Sequence, residues 1–138
     1  MLTPRQRRLI LQSFQSAEEY SIAFTKLFYG RLFELQPSLR PLFKISLEEQ
    51  SRKLLDTLRA VVESLDRFDE LRPKLLELGR KHVTYGAKPE HYEVLRTALL
   101  WTFAQALGLE FDPETRAAWD QMLRLISEIM LEGAKSSG

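Results

Sequence analysis

Apolar residues recur along the chain at three- and four-residue spacings, the repeat that places side chains on one face of a helix. Leu9, Ile10 and Phe14 form the first group, preceded by Thr3-Pro4-Arg5-Gln6, which has the form of a capping box with proline at the first helical position. A second helix is expected from Glu19 to Ser21 onward, carrying Phe24, Leu27, Phe28, Leu32, Phe33 and Leu35, with Tyr29 one residue off the densest stripe. Pro37 redirects the chain, and the proline-bounded run to Leu42 predicts a single helical turn followed by Phe43 pointing inward. From Leu47 a third helix carries Leu54, Leu58, Val61, Val62 and Leu65. The amide of Gln50 interrupts its apolar face one turn before Leu54.

A polar turn at Asp66 to Asp69 leads into a fourth helix, with Pro73 expected in its first turn. Leu75 and Leu78 lie seven and four residues before His82, so this face is apolar except for one imidazole, and Gly86 ends the helix. From about Glu90 a fifth helix carries Tyr92, Leu95, Leu99, Leu100, Phe103 and Leu107 and stops near Gly108. Asp112-Pro113 then opens a last helix with Trp119, Met122, Leu123, Ile126, Ile129 and Met130. Residues 134–138 read as a frayed tail. No segment alternates as a strand does, and no repeat of fixed period is present. The expectation is an all-α single domain over 1–138, with six to seven helices packed in a crossed-helix globule.

Composition narrows the chemistry. Twenty basic and nineteen acidic residues leave a formal charge of +1, which gives no bulk attraction to nucleic acid or to an anionic membrane. The absence of cysteine excludes disulfides, thiolate metal sites and cysteine nucleophiles. With no apolar run of membrane-spanning length and no signal-peptide pattern at Met1 to Arg8, the chain is expected to be cytoplasmic. Any metal must rest on histidine or carboxylates.

Taken singly, the polar residues on apolar faces have ordinary explanations. A histidine beside Arg80 and Lys81 is most often a surface imidazole, Gln50 a solvated residue at a helix start, Tyr29 a core tyrosine, and Phe43 simple packing. The bland alternative is a cofactor-free helical domain.

In combination these residues carry a resemblance that covers nearly the whole chain. Phe28 and Tyr29, the Pro37 to Phe43 corner, Gln50 with Leu54, His82 followed by Tyr85-Gly86 and then by Pro89 and Tyr92, and finally Trp119 together resemble single-domain bacterial globins. The likeness is to those related to the haem domain of flavohaemoglobins, including the Vitreoscilla type. It implies the globin fold, with helices crossed around haem b (iron protoporphyrin IX). His82 is then the proximal metal ligand, binding through one ring nitrogen while the other donates to the backbone or a nearby acceptor. Phe43 packs on the porphyrin face, Tyr29, Gln50 and Leu54 take the distal positions, and Tyr92 lies on the proximal side. Lys53 can reach a haem propionate, although a solvated lysine is the simpler reading.

The family often completes a proximal network with a glutamate on the last helix. Register set by Trp119 places Ala134 there, with Glu132 near but not equivalent. The segment between Phe43 and Gln50 is short, so no separate helix is expected at that corner. His91, the only other histidine, is expected at the surface or near a propionate.

The resemblance thus implies a protein that binds dioxygen and other diatomic gases such as nitric oxide and carbon monoxide. A hydrogen bond to a charged group is worth about 1.5–3 kcal/mol, so a distal tyrosine–glutamine pair implies tight, slowly released oxygen. The alternative is a nitric oxide dioxygenase that converts nitric oxide and dioxygen to nitrate. Because the chain ends at Gly138, that activity is expected to draw on a separate reductase. A gas sensor would need an output domain. No nucleic acid or membrane partner is implied, and the chain is expected to be a monomer or a weak homodimer.

Overall fold

A computed structural model describes residues 2–135 of the chain. Six α-helices follow one another: α1 (Pro4–Glu18), α2 (Ser21–Leu35), α3 (Leu47–Glu63), α4 (Phe68–Thr84), α5 (Pro89–Leu107) and α6 (Pro113–Lys135). Short 3₁₀ turns at Pro37–Leu42, Leu65–Arg67 and Gly108–Glu110 make the corners, and no strand occurs among the described residues. α2 packs on α5 and α4 on α6, with α1 laid against α6, α3 and α5. Helices thus pack on partners distant in sequence, as in a helical globule and unlike an up-and-down bundle of neighbours.

Local chemistry accounts for the helix starts. The Thr3 hydroxyl accepts from the Gln6 amide at 3.1 Å, and the Gln6 side chain accepts from the Thr3 amide at 2.8 Å. Ser46 caps α3 through the Glu49 amide at 3.2 Å, followed at once by Glu48 and Glu49 in the first turn, where negative charge suits the helix dipole. Asp112 caps α6 through the Thr115 amide at 2.8 Å. Only Lys44 and Ile45 separate Phe43 from that Ser46 cap, so α3 follows the corner directly.

Two expectations are corrected. α4 starts at Phe68, immediately after the Leu65–Arg67 turn, so Pro73 lies inside the helix rather than in its first turn. Phe68 packs against the core and Leu71 is buried within it, which offsets the one backbone hydrogen bond that proline forgoes. At the other end, α6 runs through Ala134 to Lys135, with Gly133 buried against α4. Residues 136–138 lie outside the described residues.

The centre of the core is aromatic. Phe103 lies 4.3 Å from Trp119 and 4.8 Å from Phe24, ring centre to ring centre, and Phe111 stacks on it at 5.5 Å. The fully buried Trp119 donates its indole N–H to the Ser13 hydroxyl at 2.7 Å, tying α6 to α1. That donor has no access to water once the hydroxyl is removed. Ser13→Ala is therefore expected to lower stability by about 1–3 kcal/mol in urea unfolding, and to do so far less in a Trp119→Phe background. Equal losses in both backgrounds would show that the hydrogen bond carries none of the effect.

Candidate functional site

Two groups of side chains face the question of function. The first is built on the end of α4. His82 Nδ1 is 2.8 Å from the carbonyl of Leu78. A carbonyl can only accept, so the proton sits on Nδ1 and the Nε2 lone pair remains available. The ring lies 5.8 Å from Tyr85 and 6.3 Å from Tyr92. Burial pushes the imidazole below its ordinary pKa, while the Leu78 hydrogen bond opposes that shift, and burial raises the Tyr92 hydroxyl.

The backbone of His82 is fixed by how α4 stops. The Ala87 amide donates to the His82 carbonyl at 3.0 Å and the Gly86 amide to Val83 at 3.1 Å. With Gly86 at φ +90°, these two bonds form a Schellman turn. Gly86 also abuts the 3₁₀ corner at Pro37–Leu42, because a Cβ there would stand 3.1 Å from a Leu42 methyl.

The second group joins α2 to the corner and to α3. Tyr29, 4% exposed, is edge-on to Phe43 at 5.7 Å and stacked with Phe33 at 6.0 Å. Phe33 in turn is edge-on to Phe43 at 5.4 Å. The Tyr29 hydroxyl donates to the backbone carbonyl of Gln50 at 3.3 Å. Burial raises its pKa well above the usual phenol range, the hydrogen bond to Gln50 opposing that shift, so the hydroxyl stays protonated at neutral pH. The structure thus brings Tyr29, Phe43 and Gln50 together, and His82 with Tyr92. Leu54 is half-buried against the core, and Lys53 is exposed on the outer side of α3.

Three further residues enter with clear partners. Glu132 pairs with Arg72 at 2.6 Å on the surface, so it is committed to an ion pair at the start of α4. The Nδ1 of His91 accepts from the Lys88 amide at 3.0 Å, which makes it a cap for α5. Phe33, which sequence periodicity placed on the core stripe, bridges Tyr29 and Phe43; its position four residues after Tyr29 was the available signal.

The donor set suits a macrocycle rather than a bare ion. Among the described residues no three histidine or carboxylate side chains converge on a metal-sized site, so His82 offers a single nitrogen and the other donors must come with the metal. Apolar side chains for a flat group are available: Leu42, Phe43, Leu54, Leu78, Tyr92 and Leu95 pack on the core yet are only partly buried. α3 packs on α1 and on the turn before α4, and is not extensively packed on α4 or α5. The residues present therefore fit haem.

Comparison with known proteins agrees. The globin family model matches residues 26–130. The chain belongs to the globin family and is a haem-binding globin. It is 28% identical to a neuroglobin of Tetraodon nigroviridis, covering 99% of this chain and 95% of that protein, and 28% identical to an uncharacterised globin-like protein of Aquifex aeolicus, covering 95% and 93%. It is also 27% identical to a flavohemoprotein of Oceanobacillus iheyensis over 98% of this chain, where it spans only 34% of that protein's length. An engineered carbene transferase from Rhodothermus marinus shares the fold, with a TM-score of 0.86, 23% identity and coverage of 99% and 95% of the two chains. No helix among the described residues is long and apolar enough to cross a membrane.

The depressed pKa of His82 has a consequence for stability. The unfolded imidazole takes up a proton near pH 6.5 while the folded one resists it, so this contribution is present above that pH and is lost as pH falls below it. In the haem-free protein, acidification from pH 6.5 is expected to lower unfolding free energy with a slope of up to about 1.4 kcal/mol per pH unit from this group. In His82→Leu that part of the slope should disappear, and an unchanged slope would assign it to other groups.

Proposed function

We propose that the protein binds dioxygen and related diatomic gases at haem b, with His82 as the proximal ligand and Tyr29 and Gln50 on the gas side. The observation that carries this reading is the state of His82. Its Nδ1 proton is held by Leu78, its burial disfavours the charged form, and its remaining nitrogen is the one that can ligate. Bound haem supplies an iron site that takes up diatomic gases. The chain supplies the rest: Phe43 and the half-buried leucines form apolar walls, and Tyr92 lies beside the proximal imidazole.

On the gas side the Tyr29 hydroxyl is a protonated donor with a long bond to a carbonyl. At 3.3 Å that bond is longer than the roughly 2.7–2.8 Å usual between oxygens, so little is lost when the proton turns to a better acceptor. The contact between the Tyr29 hydroxyl and the backbone of Gln50 supports assigning Gln50 to the same side as a second donor. This arrangement supports slow oxygen release. Lys53, exposed beyond Gln50, can at most reach a propionate at the haem edge.

The acceptor of the His82 proton is a neutral carbonyl, and Glu132 is paired elsewhere. A carboxylate would raise ligand basicity more than a carbonyl does. That favours gas binding over oxygen–oxygen bond cleavage. The second reading, nitric oxide dioxygenation with a separate reductase, rests on the likeness to flavohemoproteins.

The visible spectrum of the purified protein tests the first reading. A Soret band is expected in the wild type and its loss or displacement in His82→Ala; an unchanged band in that variant would refute ligation by His82. Tyr29→Phe is expected to speed dioxygen dissociation at least several-fold in stopped-flow measurements. An unchanged rate would place the hydroxyl outside the gas site. Sustained nitrate formation with an added reductase would favour the dioxygenase.

A further inference from the structure

We infer that Gly79 and Gly133 are positioning residues for His82, setting where the proximal imidazole stands by letting the backbones of α4 and α6 touch. The inference rests on the assignment of His82 as the ligand and adds what holds it in place. α4 and α6 form the most extensively packed helix pair of the described residues, and the contact is reciprocal. A Cβ on Gly79 would stand 1.9 Å from the Met130 carbonyl oxygen, and one on Gly133 would stand 2.0 Å from that of Leu76.

Leu76 and Gly79 are three residues apart on α4, as are Met130 and Gly133 on α6, so each pair spans about one turn of a single face. Two such contacts fix both the separation of the helices and the register of one along the other. Both obstacles are backbone, which has no rotamer to escape into. Moving from 1.9 Å to the 3.0 Å that real contacts need takes a displacement of at least about 1 Å. Glycine weakens a helix interior, which makes close approach the physical reason for it at both positions.

The contact bears on the imidazole through the chain itself. Gly79 follows Leu78, whose carbonyl orients the His82 ring at 2.8 Å, and His82 lies one turn further on. Beyond it, the Schellman turn closes at Gly86 against Leu42. His82 therefore stands between two fixed points of the backbone. A methyl group at Gly79 separates α4 from α6 and carries the Leu78 carbonyl and the imidazole with it.

Resonance Raman spectra of the ferrous holoprotein test this through the iron–imidazole stretch. Gly79→Ala and Gly133→Ala are each expected to shift that band by several wavenumbers. In His82→Gly supplied with imidazole, where the ligand is no longer tied to α4, adding Gly79→Ala should leave the band in place. Folded variants with an unshifted band, or an equal shift in the imidazole-supplied background, would overturn the positioning role. A wild-type band persisting in His82→Gly without imidazole would instead overturn the ligand assignment. Should both alanine variants fail to fold, amide hydrogen exchange of the wild-type holoprotein decides: residues 79–82 and 130–133 are expected among the slowest amides, and rapid exchange there would contradict the inference.

Discussion

The hydrogen bond from His82 Nδ1 to the Leu78 carbonyl is the interaction on which the site depends. It chooses the tautomer, and with it the nitrogen left to act as a ligand. It also orients the ring, because donor and acceptor are four residues apart on one helix and move as a unit. Burial then disfavours protonation, so the imidazole is held in the neutral form that ligation needs. A carbonyl partner gives less electron density to the ring than a carboxylate would, which shapes the chemistry of any bound iron.

The rest of the fold serves this arrangement at a distance. The aromatic core around Phe103 and Trp119 joins the helices that carry α4's support, and α6 meets α4 backbone to backbone. Tyr29, Phe33 and Phe43 interlock, so the corner at Pro37–Leu42 is anchored by rings rather than by backbone hydrogen bonds alone. Leu42 links this corner to the end of α4 through its contact at Gly86. The partly buried leucines keep apolar surface that a flat apolar group could cover, while the fully buried ones hold the helices together.

Much of this was legible in the residue pattern because helix starts and stops are local. Thr3, Asp112 and Gly86 act within a turn of themselves, and the structure uses all three as caps or stops. Long-range facts were less accessible. Gly79 and Gly133 look like ordinary helical glycines until α4 and α6 are superposed in space, and the placement of Pro73 depended on Phe68 and Leu71 finding the core. Glu132 shows the same limit, since its partner Arg72 lies sixty residues earlier. Of the site, the roles of Tyr29, Phe43 and Gln50 and of His82 with Tyr92 were implied only by the family resemblance that these residues carry together. The acceptor at Leu78 follows from helical geometry once His82 is assumed to donate.

The central claim is that His82, with its proton on Nδ1, is the imidazole that faces iron. The chain has two histidines, so the question can be put to one of them alone. In proton NMR of the ferrous, paramagnetic holoprotein, the ring N–H of an iron-bound imidazole is an exchangeable signal far outside the ordinary range. We expect one such signal, and we expect it to persist in His91→Gln, because His91 is occupied in capping α5. Loss of the signal in His91→Gln would contradict the account.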